Sequence, residues 1–185
     1  LITHDQEEAM TLADRIALMK DGKITQYDKP MKLYKEPNNL YVAKYIGSPP
    51  MNFIEGKITD DVLQVGKHSI HLDEDKFDLK NSKEVILGIR PHDVAIGWKR
   101  EICLSGEVEI TESIGHSNII HVNVAGNSFQ FFFDTKNFYE IGGKVKFSVN
   151  TSSIHLFDKN TGESLRKTPT RLKDKTISNV AYVSS

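Results

Sequence analysis

The sequence predicts a mainly β protein, in which a small barrel or sandwich follows a short α/β segment. Three observations carry that reading. Residues 53–158 alternate apolar and polar side chains in many short runs separated by turn residues. Residues 1–46 show instead the near-four spacing of helices, mixed with short strand-like runs. Between them, Gly47-Ser48-Pro49-Pro50 interrupts both patterns, because prolines block helix and ladder alike. The expected organisation is 1–46, a linker 47–52, a β domain 53–158 and a basic tail 159–185.

Leu1-Ile2 reads as the end of a strand. Asp5 is the predicted N-cap of the first helix, with Glu8 as its capping-box partner, and Ala9, Leu12, Ala13 and Ile16 recur at helical spacing. Ile16 to Met19 reads as a strand, Asp21-Gly22 as a two-residue hairpin turn and Ile24 to Tyr27 as the returning strand. Pro30 opens a short helix over Met31 to Tyr34, and Asn38 or Asn39 caps another through Ile46.

Beyond the prolines the predicted strands are Phe53–Ile58, Val62–Val65, Ser69–Leu72, Val85–Ile89, Val94–Ile96, Gly106–Thr111, Asn118–Val124, Ser128–Phe133, Val145–Val149 and Ile154–Phe157. In the tail 159–185 six basic side chains face two acidic ones and hydrophobicity falls, so a solvated, mobile segment is expected there.

The 185 residues carry a net charge of −1, which gives the whole molecule no basic field for nucleic acid or anionic lipid. The single cysteine, Cys103, excludes an internal disulfide framework. No apolar run approaches the roughly 18 residues of a membrane-spanning helix.

His4 is the first candidate site residue. It stands between a strand end and a capped helix, which in an open α/β sheet is the carboxyl edge where ligands bind. There an imidazole either completes the turn or donates a hydrogen bond to a phosphate oxygen or a water. Arg90 places a charge in the apolar run VILGIRP, so a carboxylate mate such as Asp93, Glu107 or Glu109 is expected. Its reading is structural, as a clamp at an interface. In the run Phe129 to Phe133, alternation puts Phe129, Phe131 and Phe133 on one face and Phe132 on the other. Phe132 then either lies under a neighbouring loop or meets another subunit. His68 and His71 would point to opposite faces of a strand, and no metal site is expected from them or from His116 and His121.

The stretch THDQEEAMTLADRIALMKDGKITQYDKP resembles the segment after the Walker B strand in ATP-binding-cassette (ABC) ATPases. In that family threonine-histidine-aspartate forms the switch loop (H-loop). The resemblance therefore implies that His4 contacts the ATP γ-phosphate in the intact protein. LYKEPNNLYVAKYIGSPPMNF is similar to the exit from the ATPase domain in bacterial sugar-importer ATPases of the maltose and oligosaccharide type. LGIRPHDV, residues 87–94, is similar to the mark of their C-terminal regulatory domain, an OB-like (TOBE) β-barrel, and EVEITESIG and SIHLFDKNTGESL fit its closing strands. Three stretches depart from the pattern: Gly115-His116-Ser117, the aromatic run Gln130 to Asp134, and His92 where glutamate is common.

The resemblance implies the C-terminal fragment of the ATP-hydrolysing subunit of a sugar importer, beginning inside a strand of a longer ATPase. Its fold is then an OB-like (TOBE) barrel preceded by an α/β remnant of the ATPase domain. ATP and Mg²⁺ are the implied cofactors of the intact protein. The implied partners are a second copy in a homodimer, the membrane permease subunits and a regulatory protein, at the cytoplasmic face of the membrane. No G-x-x-x-x-G-K-[ST] loop is present, so the fragment by itself is expected to be inactive, to bind no cofactor, and to supply the switch histidine and a regulatory and dimerisation domain. Residues Leu1, Ile2, Ile16, Leu18 and Met19 are expected to be exposed, or covered by another chain, where the rest of the sheet is lacking.

Two other functions fit the same residues. An OB-type domain that binds single-stranded nucleic acid would use the Phe cluster for stacking in a basic groove. A small oxyanion or sugar sensor would use Arg90 and scattered hydroxyls.

Overall fold

The computed structural model describes residues 2–80, 82–114, 117–134, 139–167 and 180–184, with the side chains of Ile114, Val180 and Ser184 outside that description. The chain divides into two units. The first comprises residues 1–50, 162–164 and 168–185, and the second residues 51–161 and 165–167.

In the first unit, β1 (Ile2–Thr3) leads into α1 (Gln6–Leu12), followed by β2 (Arg15–Lys20) and β3 (Lys23–Asp28). Asp21 and Gly22 take φ of 51° and 74°, the two positive values that a tight hairpin between twisted strands requires. Helices α2 (Pro30–Lys35) and α3 (Leu40–Tyr45) follow, and Asn39 caps α3 by accepting from the Val42 N–H at 3.0 Å. Leu33, Val42, Ile46 and Ala9 pack with Ile16 and Leu18 into one buried cluster. Gln26, only 4% exposed, ties the loop after α2 to β3: its amide donates to the Glu36 carbonyl and accepts from the Asn38 N–H.

The same unit holds a strand that the sequence reading assigned to a mobile tail. β14 (Val180–Ser184) runs parallel to both β1 and β2 and sits between them, giving the order β1-β14-β2-β3. Ala181 and Val183 are fully buried in the cluster with Ile16 and Leu18. This corrects two expectations. Ile16 and Leu18 are not exposed, because the chain's own C-terminal strand covers that edge of β2; Ile2 is 81% exposed, as expected. The tail is also structured before residue 168: Leu40 donates to the Gly162 carbonyl, Ser164 donates to the Asn38 carbonyl, and Lys167 donates to the Lys76 carbonyl within the second unit. Residues 168–179, and Leu1 among the predicted exposed positions, lie outside the described residues.

In the second unit the alternating runs become two five-stranded sheets. One is formed by β4 (Asn52–Thr59), β5 (Val62–Val65), β6 (His68–His71), β7 (Glu84–Ile89) and β13 (Ile154–Asp158), in the order β13-β7-β4-β5-β6. The other is formed by β8 (Ala95–Ile96), β9 (Ile102–Ile114), β10 (Ser117–Val124), β11 (Asn127–Phe133) and β12 (Lys144–Val149), in the order β11-β10-β9-β12-β8. All pairings are antiparallel, so each strand turns one face to the shared core of Leu63, Leu87, Leu104, Val122, Phe131 and Leu156. The fold is mostly β, as the sequence reading required. β9 starts four residues earlier than Gly106, because Ile102 and Leu104 continue the buried alternation through Cys103. The seam is shorter than 47–52: Met51 is buried and Asn52 opens β4.

Candidate functional site

His4 follows β1 directly and precedes the cap of α1, at the carboxyl end of a parallel strand. Its side chain is exposed, and hydrogen bonds fix the turn around it. The Tyr45 hydroxyl donates to the His4 carbonyl at 3.2 Å. Thr3 Oγ1 accepts from the Asp5 N–H at 3.0 Å. Asp5 caps the helix by accepting from the Glu7 and Glu8 N–H groups at 2.8 and 3.1 Å. The capping box is thus modified: the Asp5 N–H goes to a threonine hydroxyl, the role expected of the Glu8 carboxylate. Burial, then the neighbouring Tyr41 and Asp5, raise the pKa of the Tyr45 hydroxyl, so it stays a neutral donor. Gln6 adds a further tie, accepting from the Gly47 N–H at 2.9 Å. The arrangement offers an imidazole on a fixed turn and suits a single hydrogen bond to an incoming oxygen.

The structure separates the other candidates from His4 and from each other. Arg90 is 1% exposed inside the second unit. Glu109, one of its expected mates, is engaged by Asn123 at 3.0 Å and Ser128 at 3.3 Å. Arg90 instead neighbours His155, itself 6% exposed, whose imidazole is pushed down to about 3, first by burial and then by Arg166 and Arg90. His155 is therefore neutral in the folded protein at neutral pH.

Phe132 is half-buried, with its ring 4.5 Å from that of His92 in the 3-10 turn Pro91–Asp93. Phe129 and Phe131 are fully buried and meet Phe147 at 6.1 and 4.9 Å. Those two rings are unavailable for base stacking, which removes the aromatic platform of the nucleic-acid reading. His121 pairs with Glu112 at 3.2 Å and His71 lies 3.8 Å from Asp61, while His116 is outside the described residues. Among the described residues no three His, Cys, Asp or Glu side chains converge as a metal site would require. Cys103 donates weakly to the Arg100 carbonyl at 3.4 Å.

A hollow of about 340 Å³ in the second unit is lined by Lys67, His68, Ser105, Glu107, Asn123 and Lys144. Sequence spacing gave no signal for it, because these residues come from four strands and a turn and no two form a motif.

Residues 47–94 match the MalK OB fold domain and residues 87–157 match the TOBE domain. The trehalose/maltose import ATP-binding protein MalK of Thermococcus litoralis is 37% identical over 176 residues, covering 89% of this chain and 47% of that protein. The xylose/arabinose import ATP-binding protein XacK of Haloferax volcanii is 35% identical, covering 89% of this chain and 45% of its own length. The oligosaccharides import ATP-binding protein MsmX of Bacillus subtilis is 32% identical, with 89% and 48% covered. The chain thus spans under half the length of these relatives. No helix among the described residues is long and apolar enough to cross a membrane.

Proposed function

From a chain that carries a MalK OB fold domain and a TOBE domain, and whose homologues are sugar-importer ABC ATP-binding proteins, we infer a part of the ATP-hydrolysing subunit of a sugar importer. The observation that supports a role in nucleotide switching is the His4 turn: an exposed imidazole at the carboxyl end of a parallel strand, with its carbonyl bonded by Tyr45 and the residues on either side joined by the Thr3–Asp5 bond. In this reading His4 is the switch histidine and donates a hydrogen bond to the terminal phosphate of ATP. ATP with Mg²⁺ is the cofactor of the intact protein, and it supplies the phosphoryl group whose cleavage drives the transport cycle.

The residues present fit one contact to a phosphate and not a whole nucleotide site. The sequence holds no phosphate-cradling glycine loop, and among the described residues no group of three or more His, Cys, Asp or Glu is placed to hold a metal ion. No hydrolytic step is therefore assigned to these residues by themselves. The second unit serves as the regulatory and dimerisation domain, with Phe132 at its surface as the contact to a second copy. The permease subunits and a regulator are the further partners, at the cytoplasmic face of the membrane.

The test has two arms. The 185-residue chain is incubated with MgATP, and no turnover above background is expected; sustained turnover would refute the division of labour proposed here. In a gene product that joins these residues to a phosphate loop, His4→Ala is expected to lower hydrolysis by about 100-fold or more while ATP binding is kept. Unchanged hydrolysis in that variant would remove the switch role.

A further inference from the structure

The hollow lined by Lys67, His68, Ser105, Glu107 and Lys144 gathers side chains from both sheets of the second unit. Lys67 stands in the turn between β5 and β6, and His68 opens β6; Ser105 and Glu107 belong to β9 and Lys144 to β12. Its volume, about 340 Å³, falls in the roughly 300–1,000 Å³ range of small-molecule pockets. An adjoining hollow of about 750 Å³ shares Lys67, His68, Ser105 and Lys144 with it, and its wall adds Trp98.

The charges of this wall are unbalanced. Glu107 is the one carboxylate among the described lining residues. It stands opposite Lys144 in the β9–β12 ladder, yet none of Lys67, Lys144 and Glu107 enters an ion pair among the described residues. Two ammonium groups beside a single carboxylate leave room for an anion, and phosphate is the group that lysine serves as a point charge. His68 does not add to that charge. Burial, then Lys67, hold its pKa below the usual histidine value, although a backbone hydrogen bond at Ser105 opposes them. The imidazole is therefore neutral at neutral pH and suited to a hydroxyl group.

Trp98 supplies the second observation. The chain's single tryptophan is 64% exposed, yet it is held in position. The fully buried Ser148 hydroxyl donates to the Gly97 carbonyl at 2.7 Å and accepts from the Lys99 N–H at 3.0 Å, so one side chain ties both neighbours of Trp98. The Gly97 N–H donates to the Lys146 carbonyl at 2.8 Å, and the Lys146 ammonium lies 4.2 Å from the indole centroid. An aromatic ring exposed on an immobilised turn offers a stacking face that needs little further ordering on binding. The C–H face of a sugar ring is an apolar surface that such a face accepts.

We propose that the hollow binds a monosaccharide phosphate, with Lys67 and Lys144 on the phosphate, Trp98 against the sugar ring, and Glu107 and His68 accepting hydrogen bonds from its hydroxyls. The combination is selective. A bare oxyanion leaves Trp98 unused and meets Glu107 as a like charge. A neutral sugar leaves both lysines unmatched. The site lies wholly within the second unit, adds to the importer reading and is independent of the role proposed for His4.

Because Trp98 is the single tryptophan, its fluorescence reports on this hollow directly. The 185-residue chain is titrated with glucose 6-phosphate, glucose and inorganic phosphate, with calorimetry as the second readout. Glucose 6-phosphate is expected to change the emission saturably and to bind at least about tenfold more tightly than either of the others. Lys67→Gln and Lys144→Gln are each expected to weaken it at least about fivefold with the melting temperature unchanged. Lys80→Gln, at an exposed lysine outside the lining, is expected to leave it unaltered. Trp98→Ala, followed by calorimetry, is expected to weaken it about tenfold. Glu107→Gln is expected to narrow the gap between glucose 6-phosphate and inorganic phosphate. No saturable signal from glucose 6-phosphate up to about 10 mM would overturn the proposal. So would equally tight binding of glucose or of inorganic phosphate, or an affinity left unchanged in both lysine variants.

Discussion

The side-chain amide of Asn52 closes two hydrogen bonds with the backbone of Gln130. Asn52 Nδ2 donates to the Gln130 carbonyl at 2.8 Å, and Asn52 Oδ1 accepts from the Gln130 N–H at 2.7 Å. Asn52 opens β4 in one sheet and Gln130 lies in β11 of the other, so a single side chain imitates a strand and joins the two sheets. At 4% exposure it does so largely out of reach of water.

Replacing that amide should expose its value. Asn52→Leu keeps much of the volume but strands a donor and an acceptor, and about 2–4 kcal/mol of stability should be lost. Urea unfolding followed by circular dichroism measures it. A loss below about 0.5 kcal/mol would mean that the bridge is incidental.

His155 should make the second unit acid-sensitive well above the carboxylate range. Its pKa falls from 6.5 to about 3 on folding, mainly through burial and then through Arg166 and Arg90. Between those values the unfolded chain binds a proton that the folded chain does not, so stability is full above about 6.5 and declines as the pH falls. The slope approaches about 1.4 kcal/mol per pH unit. His68, lowered by burial and by Lys67, adds to the same sense. Asp158 is also held low, first by the Ser82 hydroxyl, but it loses charge at more acid pH and is distinguishable by its window. Denaturation midpoints between pH 7 and 5 should flatten in His155→Leu relative to wild type.

Gly106 should tolerate no side chain. A Cβ there would lie 2.6 Å from the Asn123 carbonyl oxygen, a backbone atom of the paired strand β10. Backbone in a ladder cannot swing aside as a flexible side chain can, so Gly106→Ala should cost about 1–3 kcal/mol. Gly126 has open space around it but a φ of 84°, so Gly126→Ala should instead lose stability through backbone strain at the β10–β11 turn. Thermal unfolding of the two variants, with exchange at the Gly106 and Asn123 amides, separates clash from strain.

Phe131 and Phe132 are adjacent and should behave in opposite ways. Phe131→Ala removes a fully buried ring packed 4.9 Å from Phe147 and should cost about 3–5 kcal/mol. Phe132→Ser removes a half-buried ring that meets His92, and should cost about 1 kcal/mol or less while weakening self-association through the second unit. Sedimentation of both variants decides it. Association left intact in Phe132→Ser would remove that residue from the dimer contact.

The sequence by itself determined the β class of the second unit, the position of nearly all its strands, the Asp21-Gly22 turn, the Asp5 cap and a cap at Asn38 or Asn39, of which the structure uses Asn39. Each of these is written in neighbouring residues, as a period of two, a cap or a pair of turn formers, and needs no distant partner. Only the tertiary structure decided where β14 goes, which groups Asn52 joins, that Arg90 is an interior residue, and that residues 162–164 return to the first unit. Val180–Ser184 is five residues long and sits beside a basic stretch, so its local pattern reads as tail. It becomes a strand because a ladder on each side satisfies its backbone and Ile16 and Leu18 receive Ala181 and Val183, pairings between residues more than 160 positions apart along the chain.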